Sequence, residues 1–193
     1  VELDVRRLAD GTLAIHHDLA LPGGRKLNTL SRPDLPAEVP LLAEVLGWAA
    51  DSGAYLNVEI KFEGSGVDDR VGRTLLAIRA HLRGERVIVS SFSPLVLRAA
   101  RDLDPGLPRG FLYHRPYRVG VDLVPLVARR LGVTALHPHH TLVDAELIEL
   151  ARKNGWRVNT WTVNDEAEAL RLSALGVDGL IGDVPEVLKV ARG

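Results

Sequence analysis

Carboxylates spaced two apart in a run of alternating apolar residues project from one side of an extended strand. The chain has two such runs. Glu2 and Asp4 alternate with Val1, Leu3 and Val5; Glu59 alternates with Leu56, Val58 and Ile60, and Lys61 follows it at the same parity. Each run therefore has an apolar face and a polar face, the polar ones being Glu2, Asp4 and Arg6 in the first and Asn57, Glu59 and Lys61 in the second. Three carboxylates brought together repel one another unless they are protonated or neutralised by a cation. Oxygen-only ligation favours a hard ion, Mg²⁺ or Ca²⁺, over Zn²⁺, which prefers histidine or thiolate donors. The competing reading is a structural ion network in which Glu2 and Glu59 pair with Arg6 and Lys61. Residue types alone do not choose between the two.

Histidine suits proton transfer to or from an alcohol oxygen, the step that phosphoester cleavage needs. His17 is the candidate. Between Val5 and His17 there is no helical pattern, only Asp10-Gly11, a strong hairpin signal, followed by the alternating run Thr12 to His17. A two-residue turn at Asp10-Gly11 pairs Asp4 with His17 and Arg6 with Ile15, and directly paired side chains share a face. This predicts His17 beside Asp4, with His16 turned away. Lys61 is a point charge suited to a phosphoryl oxygen, or else a partner for Glu59. In Leu136 to His140, His137 ends a strand and is a candidate pocket residue, while His139 and His140 fall in the next loop, where solvated histidines are expected. Trp161 shares parity with Arg157, Asn159 and Val163 and reads either as an apolar wall or as core. Gly64 to Gly66 lacks the context of a nucleotide-binding loop and reads as a plain loop.

The elements that must position these residues are short aliphatic strands alternating with helices, the signature of parallel β/α units. Seven strands are expected, at Val1–Arg7, Tyr55–Lys61, Arg86–Ser91, Gly110–His114, Val133–His137, Arg157–Val163 and Val177–Gly182. Pro40 as a first-turn proline and Gly53 as a stop frame one helix; Ser93-Pro94 opens a second; Asp144 and Gly155 bound a third. Seven such strands fit a TIM-type β/α barrel lacking one unit or an open doubly wound sheet. Barrel strands send alternate residues inward and gather active residues at their C-terminal ends, so two adjacent strands with inward carboxylates favour the barrel.

Composition narrows the function. The 193 residues are the length of one domain, and 46% hydrophobic with 25% charged residues is an ordinary globular composition. With 24 Lys+Arg against 25 Asp+Glu, the formal charge of −1 supplies no field for nucleic acid or anionic lipid. The absence of cysteine removes disulfides, thiolate metal sites and a cysteine nucleophile. The apolar stretches, such as Val87 to Val89 and Leu126 to Ala128, fall far short of the ~18 residues of a membrane span. With no signal segment visible, a cytoplasmic location is the expectation. The opening inside a strand and the lack of methionine predict a processed or truncated chain.

The chain resembles the glycerophosphodiester phosphodiesterases. The matching stretches are Glu2-Leu3-Asp4-Val5 with Asp10-Gly11 and His17-Asp18; Asn57-Val58-Glu59-Ile60-Lys61; Ser90-Ser91-Phe92; Trp161-Thr162-Val163-Asn164; and Gly176-Val177-Asp178-Gly179 through Asp183 and Pro185. The resemblance runs nearly end to end. It implies a single TIM-type barrel domain over residues 1–193 that hydrolyses glycerophosphodiesters to glycerol 3-phosphate and an alcohol. It also implies a divalent cation on Glu2, Asp4 and Glu59, His17 as one of two acid/base histidines, and Lys61 on phosphate. The family's opening strand with His-Arg-Gly and its helix near Pro-Glu-Asn-Thr have no counterpart here. A missing first β/α unit and a crippled enzyme are therefore expected. The expected partner is a small-molecule diester, with neither nucleic acid nor a membrane span. The alternatives are a related phosphodiesterase acting on lipid head groups, a non-catalytic barrel binding phosphorylated ligands, and a metal-stabilised structural domain.

Overall fold

The computed structural model describes residues 1–62, 68–82, 86–115, 118, 119 and 121–191. The loop expected at Gly64 to Gly66 lies outside them. Two compact units are present, Val1–Pro108 and Arg109–Gly193.

In the first unit, strands β1 (Glu2–Arg7), β3 (Leu56–Ile60) and β4 (Val87–Ser91) run parallel in the order β4-β3-β1, and β2 (Leu13–Ile15) pairs antiparallel with β1. Helices α1 (Leu42–Ser52), α2 (Arg70–His81) and α3 (Pro94–Leu103) connect them. The apolar strand face read from the sequence is the buried one: Leu3, Val5, Leu56, Val58, Ile60, Val87 and Val89 pack with Leu46, Ile78 and Val96 of the helices. Burying each such side chain contributes about 1.5–3 kcal/mol, which holds the polar face of the same strands in one orientation.

The second unit repeats the plan. Strands β5 (Arg109–Tyr113), β8 (Ala135–Pro138), β9 (Arg157–Thr160) and β10 (Gly179–Leu180) run parallel in that order. Helices α4 (Val124–Leu131), α5 (Ala145–Asn154), α6 (Glu166–Leu175) and α7 (Pro185–Val190) alternate with them, and a short antiparallel pair, β6 (Arg118–Val119) and β7 (Val121–Asp122), precedes α4. All seven expected strands are thus found, most of them trimmed, with β5 starting one residue earlier and β8 ending one residue later than expected.

Caps follow the local chemistry. Ser93 accepts from the Val96 amide with Pro94 in the first turn, and Asp144 Oδ1 accepts from the Leu147 amide at 2.8 Å. Gly53 and Gly155 end α1 and α5 in the left-handed region. Pro40 is a correction. Helix α1 begins at Leu42, where Glu44 caps the Leu41 amide at 2.8 Å, and the Pro40 carbonyl instead accepts from the Ile15 amide beside β2.

The hairpin register is a second correction. The Gly11 amide bonds the Leu8 carbonyl, the Leu8 amide bonds the Thr12 carbonyl, and Gly11 has φ +88°. The loop is therefore three residues, Ala9 to Gly11, with glycine in the left-handed bulge position, not a two-residue turn. Pairing moves by one, so that Val5 faces Ile15 and Arg6 faces Ala14.

Candidate active site

Parallel pairing aligns Glu2 with Asn57 and Asp4 with Glu59 on the polar face of β1 and β3. One ligating oxygen from each of Glu2, Asp4 and Glu59 lies within 4.8 Å of the others. Lys61, leaving the end of β3, places Nζ 2.8 Å from both Asp4 Oδ1 and Glu59 Oε1. Part of the expected ion network is therefore real, with Asp4 and Glu59 as the partners of Lys61. Yet one ammonium against three carboxylates leaves two formal negative charges.

The strain shows in the titration. Burial, then Asp4 and Glu59, push the Glu2 carboxyl up to about 7. Burial also raises Glu59, against the opposing charge of Lys61. Burial alone would lower Lys61, but Glu59 and its hydrogen bonds to both carboxylates outweigh that and raise it. Three hard oxygen donors, only two of which are paired with Lys61, fit a divalent ion of the Mg²⁺ or Ca²⁺ kind. Among the described residues this is the one such cluster.

The register shift changes the place of His17. It is His16 whose amide bonds the Asp4 carbonyl at 2.9 Å, and His17 lies one residue beyond, with its side chain 75% exposed. The His17 ring bonds Asp18 Oδ1 through Nδ1 at 2.9 Å, and its charge acts on Glu59, so it remains within electrostatic reach of the cluster. Two buried arginines that sequence reasoning gave no positional role hold this corner. Arg6 Nε donates to the carbonyls of His16 and His17 at 3.1 and 3.0 Å, fixing the loop that carries His17. Arg70 Nη1 donates to the Lys61 carbonyl at 2.6 Å, fixing the end of β3. The available signal for Arg6 was its place after Glu2 and Asp4 on the polar face of β1; nothing local marks Arg70. Beside Glu59 and Lys61 opens a cleft of about 340 Å³ lined also by Phe62, Ser91, Phe92 and Ser93.

In the second unit, His137 is wholly buried, and burial depresses it to about 4. Its Nε2 lies 3.0 Å from Asn159 Nδ2, and its carbonyl accepts from Trp161 Nε1 at 2.9 Å. His137 thus supports Trp161 from beneath rather than facing solvent. Trp161 is half-buried, with His139 edge-on to it at 5.1 Å. The expectation of solvated loop histidines is corrected as well: His139 and His140 are half-buried, and His140 Nδ1 bonds Glu168 Oε1 at 2.7 Å.

Residues 1–187 match the glycerophosphoryl diester phosphodiesterase family. The chain belongs to this family. A glycerophosphodiester phosphodiesterase of Caldanaerobacter subterraneus subsp. tengcongensis is 31% identical over 209 residues, covering 97% of this chain and 83% of the relative. Among solved structures, an Oleispira antarctica phosphodiesterase in complex with the product sn-glycerol-3-phosphate superposes with a TM-score of 0.90 at 23% identity, over 100% of this chain and 84% of that one. A glycerophosphodiester phosphodiesterase from Parabacteroides distasonis gives 0.85 at 22% identity, over 99% and 82%. The fold class is that of these proteins, the TIM-type β/α barrel. No helix among the described residues is long and apolar enough to cross a membrane.

Proposed function

We propose that this chain hydrolyses glycerophosphodiesters to glycerol 3-phosphate and an alcohol, using a divalent cation, Mg²⁺ or Ca²⁺, held by Glu2, Asp4 and Glu59. The observation that carries the reading is the convergence of those three carboxylates, two of which share the Lys61 ammonium. The bound ion supplies charge stabilisation for the phosphoryl oxygens. Lys61, which lines the cleft beside Glu59, would offer its ammonium to a phosphoryl oxygen. His17 moves the proton: with Nδ1 on Asp18, Nε2 is the atom that exchanges a proton with an alcohol oxygen. In the second unit, the His137 backbone carbonyl orients the Trp161 indole.

The test is release of glycerol 3-phosphate from glycerophosphocholine, with and without EDTA, for the wild type and Glu59→Gln. The expected result is turnover that EDTA abolishes, and a Glu59→Gln variant that loses Mg²⁺ affinity and activity together. Metal-dependent rates unchanged by Glu59→Gln would remove Glu59 from the site. Binding of the diester without turnover would make the chain a phosphate-ligand-binding barrel.

A further inference from the structure

The rows set by the parallel register extend the carboxylate cluster onto a third strand. Asp4 of β1, Glu59 of β3 and Ser90 of β4 form one row; Glu2, Asn57 and Ile88 form the row before it. Aligned residues of neighbouring strands share a face, so Ser90 and Asn57 stand on the carboxylate side. Ser90 is 0% exposed, and among the described residues its Oγ has no hydrogen-bond partner; Asn57 Oδ1 is buried in the same condition. The neighbouring Ser91, on the opposite face, is fully used: its Oγ donates to the Ile60 carbonyl at 2.8 Å and accepts from the Ser93 amide.

An unsatisfied buried hydroxyl costs about 1–3 kcal/mol. A buried strand position whose hydroxyl had no partner to meet would be filled at lower cost by alanine or valine. Two such polar atoms flank the carboxylate cluster, and among the described residues neither bonds a carboxylate directly, so both suit a partner lying between them and the carboxylates. Mg²⁺ keeps several of its waters when protein carboxylates bind it, and those waters need acceptors.

We propose that Ser90 Oγ and Asn57 Oδ1 accept hydrogen bonds from water carried by the cation, and so position the hydrated ion against Glu2, Asp4 and Glu59. This rests on the cation reading given above. Ser90 and Asn57 are positioning residues that touch neither the metal nor the substrate.

The experiment is calorimetric titration of Mg²⁺ into the full chain as wild type, Ser90→Ala, Asn57→Ala and Glu59→Gln, with thermal midpoints taken in EDTA. Outer partners of metal sites typically govern 10–100-fold in affinity. Ser90→Ala and Asn57→Ala should each weaken Mg²⁺ binding by about that factor, while the midpoint of Ser90→Ala in EDTA stays level or rises, because an unsatisfied hydroxyl has been removed. Ser90→Ala binding Mg²⁺ as tightly as the wild type, with Glu59→Gln impaired, would overturn the positioning role and leave the cation reading standing. A fall in the EDTA midpoint that accounts for the lost affinity would also overturn it, as a purely structural effect. A wild type that binds no Mg²⁺ would sink the cation reading itself.

Discussion

Lys61 is the residue whose surroundings say most about the chemistry, because it is shared. Its Nζ sits 2.8 Å from each of two carboxylates that would otherwise repel. Lys61→Met would remove the ammonium bonded to Asp4 and Glu59 and leave three carboxylates together. The EDTA-treated variant should melt below the wild type, and its midpoint should rise more on adding Mg²⁺. Its KM for the diester should rise as well, since the phosphoryl contact is lost. Equal Mg²⁺-induced shifts in the two proteins would show that Lys61 does not stand in for a cation. His17 is different in kind, exposed and with its ring bonded to Asp18. Positioned acid/base groups contribute about 10²–10⁴-fold. His17→Asn should lower kcat by that order while leaving Mg²⁺ affinity within two-fold, and a kcat within three-fold of wild type would exclude proton transfer by His17.

At the scale of elements, the hairpin shows what the sequence made legible and what it did not. The turn was recognisable from Asp10-Gly11, but its length was not, because that pair fits both a two-residue turn and a three-residue loop with a glycine bulge. The deciding signal lay in the flanks. Leu13 and Ile15 pack on the main core with Leu3 and Val5, whereas Leu8 and Ala14 enter a separate cluster with Leu21, Leu27, Leu30 and Val39. Only the observed register sets Ile15 across from Val5, where the two-residue turn would have put it on the carboxylate face opposite Arg6. Matching apolar parity across the turn would have identified the register, and with it the position of His17. The carboxylate cluster was legible because it needs only strand parity and one parallel pairing. The roles of Arg6 and Arg70 were not, since they depend on where distant carbonyls end up. In the second unit, β5 and β8 hold a comparable constraint: a Cβ on Gly110 would lie 2.5 Å from His137 Nε2. Gly110→Ala should cost about 1–3 kcal/mol of overpacking, measurable by urea denaturation, and pairing it with His137→Ala should recover most of the loss. The same histidine sets an acid limit. Its folded pKa of about 4 lies below the unfolded 6.5, so the neutral form stabilises the fold above pH 6.5 and that contribution is lost as pH falls toward 4. The difference corresponds to about 3 kcal/mol. Replacing His137 with leucine should flatten the stability profile between pH 6.5 and 4; a profile as steep as wild type would assign the acid sensitivity elsewhere.

For the molecule as a whole, periodicity alone left a barrel and an open sheet both standing, because the two share the same β/α alternation; the likeness to solved relatives over the full chain resolves it. Charge gives a further whole-molecule argument. With 24 basic and 25 acidic side chains, there is little overall repulsion for salt to screen, so the sensitivity of stability to ions should be specific and local. A cation that binds the folded chain alone stabilises it by about 2.7 kcal/mol at a hundred times its Kd. For chains of 150–250 residues each kcal/mol moves the midpoint by about 2–4 °C, giving a rise of roughly 5–11 °C. Sodium chloride at matched ionic strength should move it far less, and Glu59→Gln should remove most of the Mg²⁺ effect. Hydrogen exchange should then place the added protection in β1 and β3, the strands that carry Glu2, Asp4 and Glu59. A Mg²⁺ shift reproduced by sodium chloride, or retained in full by Glu59→Gln, would mean that the ion acts on the surface at large and not at the carboxylate cluster.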